Sequence, residues 1–190
     1  MILFTGLGNP GSQYEETRHN IGFMVIDRLV DDLDARDISK NAFEGILYRN
    51  GNTLFLKPTT FMNLSGKSVA VVQRFFKIEL ESVIVIHDDI DLPFGAVRFK
   101  KGGGHGGHNG LRSIDAHIGK AYIRVRIGVG KPEHKSQVAD YVLHRFSEKE
   151  QSETDRLIEH VIQALKALRH ETLDAVKSRY SLKSIEGLVG

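Results

Sequence analysis

The feature that most constrains this chain is Val83-Ile84-Val85-Ile86, four consecutive β-branched residues followed at once by His87-Asp88-Asp89-Ile90-Asp91. A run apolar on both faces suits a central strand covered on both sides, which asks for a sheet sandwiched between helices. The acids that end the run place titratable groups just past a buried strand, where α/β proteins hold their ligands.

The rest of the chain reads consistently with that frame. Met1–Thr5 is strand-like and stops at Gly6-Leu7-Gly8-Asn9-Pro10-Gly11, a loop because Gly and Pro break both regular structures. Phe23, Ile26, Leu29, Val30 and Leu33 keep helical spacing and predict a helix from about Gly22 to Leu33. Ile46–Tyr48 and Thr53–Lys57 flank Asn50-Gly51, a strong hairpin signal. Asn63 or Ser65 is placed to cap a helix whose inner face is Val69, Val72 and Phe76. Leu111, Ile114 and Ile118 suggest a short helix. Tyr122–Val129 alternates, with Arg124 and Arg126 on an expected basic outer face. Ser147 and Glu150 form a capping box for a long helix striped with Leu157, Val161, Leu165 and Leu168. The tail beyond Lys177 reads as polar and loosely held. The expectation is an α/β fold, one domain over residues 1–190, with a mixed, twisted β-sheet surrounded by helices.

Composition narrows the function classes. With no cysteine, disulfides, thiolate zinc sites, Fe–S clusters and a cysteine nucleophile are excluded. The longest purely apolar runs are four residues, against about 20 for a bilayer-spanning helix. Met1–Gly11 has no charged n-region or long apolar core, so no secretory signal is expected. A cytoplasmic protein is the reading. The net charge of +2 conceals an asymmetry: Arg98–Lys135 holds nine Lys or Arg and two acids, whereas Glu79–Asp91 holds five acids and no Lys or Arg. A local basic excess of this kind is the footprint of a polyanion site or simply of a solvated face.

Four polar loops carry residue types useful in acyl chemistry: Gly6–Asn20, Pro58–Asn63, His87–Asp91 and Gly102–Gly110. His19 is a surface or helix-capping histidine, or a general base if Asp88 accepts a hydrogen bond from one ring nitrogen and leaves the other free. Asn9, Asn63 and Asn109 offer amides that donate and accept without titrating. No Gly-x-Ser-x-Gly element is present, so direct attack by water is the economical chemistry. Six of the nine residues in Gly102–Gly110 are glycine, with Lys100, Lys101 and Arg112 alongside, a bare backbone suited to a phosphodiester end. His105 and His108 lack a third ligand at metal spacing, and the acids of 88–91 fall short of a calcium shell, so no metal is expected. Gly6-x-Gly8-x-x-Gly11 matches a dinucleotide fingerprint, but Pro10 interrupts it and the helix begins well past the glycines. A nucleotide-dependent oxidoreductase and a non-catalytic RNA-binding module stay as the other classes.

Gly6-Leu7-Gly8-Asn9-Pro10-Gly11 with Tyr14, Thr17-Arg18-His19-Asn20 and Gly22 resembles the N-terminal motif of bacterial peptidyl-tRNA hydrolases. Pro58-Thr59-Thr60-Phe61-Met62-Asn63-Leu64-Ser65-Gly66, His87–Pro93 and Gly102–Gly110 resemble the family's other motifs, in its order. The resemblance implies a monomeric enzyme, without cofactor or metal, that hydrolyses the ester between a peptide and the 3′-terminal ribose of tRNA, releasing tRNA for reuse. It implies His19 as general base, Asp88 as its support, and Asn9 as the residue that tells peptidyl from aminoacyl ends. It further implies that Asn63 and Asn109 hold substrate and water, that Tyr14, Phe61 and Met62 line the crevice, and that Lys100 and Arg126 clamp the 5′-phosphate of tRNA. Peptidyl-tRNA is the implied partner, and no membrane is involved.

Overall fold

The computed structural model describes residues 1–188, so the last two positions of the expected 1–190 domain, Val189 and Gly190, lie outside it. In chain order the strands are β1 (Ile2–Gly6), β2 (Arg36–Asp37), β3 (Gly45–Asn50), β4 (Thr53–Pro58), β5 (Val83–Asp89), β6 (Val97–Lys101) and β7 (Ile123–Gly128). The helices are α1 (Ile21–Asp32), α2 (Ser65–Phe75), α3 (Asn109–Ile118), α4 (Val138–Val142), α5 (Glu148–Leu168) and α6 (Leu173–Tyr180).

The strands form one mixed sheet in the order β2-β3-β4-β1-β5-β7-β6. β1 lies parallel to β4 and β5, and β5 parallel to β7; β2, β3 and β6 add antiparallel margins. The doubly apolar run thus occupies an interior strand, as its pattern requires. Alternation along β1 and β5 divides the core. Phe4, Ile84 and Ile86 pack with α1 and α5 residues such as Ile26, Leu157 and Val161 on one face. Leu3, Val83 and Val85 pack with Val69 and Val72 of α2 and Leu111 and Ile114 of α3 on the other.

Helix α1 approaches the sheet at backbone distance. A Cβ on Gly22 would fall 2.4 Å from the Leu7 amide nitrogen and 2.5 Å from the Ile86 carbonyl oxygen. A Cβ on Gly6 would fall 2.1 Å from the Gly22 carbonyl, and one on Gly8 would enter the Phe23 ring. Gly6 and Gly8, with Gly22 of the helix itself, therefore seat α1 against the ends of β1 and β5.

Three expectations are corrected. Neither Asn63 nor Ser65 caps α2: Leu64 holds the cap position with no side-chain bond, and the Ser65 hydroxyl donates to the Met62 carbonyl at 2.8 Å. The basic face of β7 is not an outer face, because Arg124 is 2% exposed beneath the glycine loop and Arg126 pairs with Asp89. The tail is held, since α6 covers part of it and Leu182 exchanges two backbone bonds with Val97 of β6 at 2.9 and 3.0 Å. An extended strap against an edge strand needs no helical periodicity, which is why its polar sequence looked loose.

Gly22→Ala is expected to destabilise the protein by more than about 2 kcal/mol, because the clash is with backbone that cannot repack. Urea denaturation of the variant against the parent measures it.

Candidate active site

The site is assembled where β5 ends. Asp88 is 2% exposed, and each of its carboxylate oxygens meets one imidazole: Oδ2 lies 2.7 Å from His19 Nδ1, and Oδ1 lies 2.8 Å from His108 Nε2. The two rings stand 5.0 Å apart between centroids.

Each ring is fixed from behind. His19 sits in the 3₁₀ turn Arg18–Asn20 ahead of α1. Arg18 donates to the Tyr141 carbonyl and to Glu150 Oε1, both at 3.1 Å, with its guanidinium 4.0 Å above the Tyr141 ring. Asn20 is 1% exposed; its amide accepts from the Asn9 backbone N–H at 2.8 Å and donates to the Asn9 carbonyl at 2.9 Å. His108 is the N-cap of α3, and its Nδ1 accepts from the amides of Gly110 and Leu111 at 3.1 and 3.3 Å. That assigns the His108 proton to Nε2, facing Asp88. His19 Nδ1 likewise donates to the carboxylate, which leaves Nε2 as the basic nitrogen, and the ring lines the cavity.

Burial opposes charge on His19, but the negative charge and hydrogen bond of Asp88 outweigh it, so the His19 pKa is raised above the ordinary 6.5. Burial alone would push the Asp88 carboxyl up; His19 and His108 reverse this and hold it far below the usual carboxylate range. His87 behaves oppositely. Full burial, with His108 close by, lowers its pKa to about 4, and its Nδ1 donates to the Asp88 carbonyl at 2.8 Å. The nitrogens and carboxylate of His19, Asp88 and His108 lie within 4.8 Å of one another, a spacing compatible with a metal ion. Their separations of 2.7 and 2.8 Å are those of hydrogen bonds, with each nitrogen supplying a proton to its oxygen.

A cavity of about 500 Å³ opens in front of this triad. Of the ten residues expected from sequence, it gathers His19, Asp88, Asn109, Lys100 and Arg126. Lys100 is exposed, and Arg126 Nε donates to Asp89 Oδ2 at 2.8 Å. Val138, Ala139 and Val142 of α4 supply an apolar wall that no sequence signal announced. The other five lie outside its lining. Asn9 and Met62 are joined, the Met62 amide donating to Asn9 Oδ1 at 2.7 Å. That bond takes one of the two acceptor sites of the oxygen and fixes the amide, whose NH₂ has no hydrogen bond among the described residues. Phe61 is 52% exposed and is held at φ 67°, ψ 155°, a conformation nearly reserved for glycine. Asn63 is exposed and Tyr14 half-buried, neither touching the triad by hydrogen bond among the described residues.

Sequence reasoning missed His108, His87 and Asn20. From sequence His108 suggests only a metal ligand; its position immediately before Asn109-Gly110-Leu111, at a helix start, is the available signal.

Residues 3–187 match the family model described as peptidyl-tRNA hydrolase. The chain is 80% identical to the peptidyl-tRNA hydrolase of Sulfurovum sp. (strain NBC37-1) over 188 residues, covering 99% of this chain and all of the relative. It is 57% identical to that of Sulfurimonas denitrificans, covering 96% and 98%. The crystal structure of peptidyl-tRNA hydrolase from Acinetobacter baumannii superposes with a TM-score of 0.92 at 38% identity, covering 97% of this chain and 96% of that one.

Asp88→Asn removes the interaction that raises the His19 pKa and leaves burial, which lowers it. The midpoint for the His19 ring, followed by NMR, is expected above 6.5 in the parent and below the parent value in the variant.

Proposed function

The chain belongs to the peptidyl-tRNA hydrolase family, and we propose that it hydrolyses the ester of peptidyl-tRNA by water attack with His19 as general base. The observation that carries this reading is the 2.7 Å bond between His19 Nδ1 and a buried Asp88, which leaves Nε2 free beside a cation-lined cavity.

In the proposed step, Nε2 of His19 takes a proton as a water oxygen bonds to the ester carbonyl carbon. Asp88 stabilises the imidazolium, and His108 keeps the carboxylate aimed. The tetrahedral adduct collapses, the carbon–oxygen bond to ribose breaks, and His19 returns the proton to the departing ribose oxygen. A free tRNA 3′ end and a peptide carboxylic acid result, and the acid loses its proton to solvent. A positioned base typically contributes 10²–10⁴-fold. Asn109 lines the same cavity, and its amide, like that of Asn63, is assigned to holding substrate and water. Amide donors on the developing oxyanion each add about 3 kcal/mol.

The Asn9 amide supports discrimination. A free NH₂ donor suits the backbone carbonyl of a peptidyl group and repels the ammonium of an aminoacyl end, and a site that needs a hydrogen bond rejects ligands unable to make it. Tyr14, Phe61 and Met62 are assigned to the same crevice. Lys100 and Arg126 are assigned to the tRNA 5′-phosphate. By the same family likeness the enzyme is proposed to work as a monomer in the cytoplasm.

The direct test is release of tRNA from a peptidyl-tRNA, with aminoacyl-tRNA as control. His19→Ala is expected to lower kcat by about 10²-fold or more while tRNA binding is retained; near-normal turnover removes His19 from its role. Lys100→Ala is expected to raise KM about tenfold and flatten the salt dependence, with no effect on a substrate lacking the 5′-phosphate.

A further inference from the structure

The glycine loop is held by a buried ionic cluster that the reaction does not otherwise use. Arg124 reaches up from β7, donating from Nη2 to the Gly103 carbonyl at 2.9 Å and from Nη1 to the Gly104 carbonyl. The same Nη2 donates to Asp115 Oδ1 of α3 at 3.1 Å, and the Tyr122 hydroxyl donates to that oxygen at 2.6 Å. Between the Gly102 amide, which donates to the Tyr122 carbonyl, and His105, the loop backbone has no other hydrogen bond among the described residues. The cluster is not satisfied on its own account: Arg124 Nε and Asp115 Oδ2 are buried without a partner. A buried ion pair with orphaned atoms is poorly suited to stability alone.

Lys100 connects this cluster to the cavity. On the β6–β7 ladder Lys100 stands directly opposite Arg124. Like charges opposite one another repel, so the lysine favours a course away from the guanidinium. The Lys100 side chain runs across the bare face of Gly103, where a Cβ would come within 2.9 Å of Nζ and 2.8 Å of Cε.

We propose that Arg124, neutralised by Asp115, whose carboxylate the Tyr122 hydroxyl also holds, is a positioning residue for substrate binding. It pins the Gly103 and Gly104 carbonyls so that Gly103 forms the shelf across which Lys100 carries its ammonium into the cavity. The ligand is the terminal phosphate monoester of the RNA substrate. This rests on the assignment of Lys100 to a substrate phosphate made above.

Steady-state kinetics on peptidyl-tRNA tests it, with folding checked by circular dichroism. Arg124→Lys keeps the charge but cannot bridge two carbonyls and a carboxylate; it is expected to raise KM about tenfold and leave kcat within about twofold. Gly103→Ala, at a half-buried glycine with φ 102°, strains the shelf and drives a Cβ into the end of Lys100; it is expected to raise KM similarly, which keeps the test open should Arg124→Lys fail to fold. In a Lys100→Ala background neither substitution is expected to change KM by more than about twofold, because the effect passes through the ammonium. Unchanged KM in the folded single variants, an equal loss in both backgrounds, or a loss confined to kcat overturns the proposal. Lys100→Ala with the parent KM overturns the phosphate assignment itself, and the inference falls with it.

Discussion

One buried charge organises this molecule. Removing a carboxylate from water costs roughly several kcal/mol, and a lone Asp88 would protonate instead of bearing that cost. Two imidazoles hold it ionised, and they come from elements on opposite faces of the sheet: His19 from the turn before α1, His108 from the cap of α3. The carboxylate therefore fastens both helical layers to the end of β5. The converse also holds. The reactive geometry is only as good as the seating of those layers, which explains why α1 meets the sheet through glycines and why Arg18 and Asn20 grip the chain on either side of His19.

The charges follow a similar economy. The basic stretch after Arg98 is real in the fold, but its members are not equivalent. Arg124 is spent internally against Asp115 and the glycine loop, and Arg126 leans on Asp89. Lys100 alone of these three has no ion pair among the described residues. Pairing shapes a cavity that keeps a net positive lining while each guanidinium stays in a defined place.

Legibility from sequence followed the range of the interactions. The hairpin at Asn50-Gly51, the capping box at Ser147 and the two-faced strand at Val83–Ile86 are written in neighbouring residues, and all three are present as read. His19 and Asp88 are legible as candidates because one stands in a polar loop ahead of a helix and the other just past a buried strand, both within the family-like motifs, although their bond spans 69 residues. The role of His108 was not legible, because what defines it is a carboxylate 20 residues earlier, reached only once β5 and α3 are packed. Arg124 was misread for the same reason. Strict alternation puts it on the face opposite Val125, but alternation does not reveal that a glycine loop folds over that face.

The margins of the sheet have a consequence of their own. β2 is a two-residue strand, Arg36–Asp37, both exposed and oppositely charged, while the far margin at β6 is met at its first residue, Val97, by the Leu182 strap, with Ile185 seated against Gly95. Naked ladder groups recruit foreign strands, and charge or cover prevents it. The strap at Val97 and the short, charged β2 each shorten the ladder that the described residues leave open to a foreign strand.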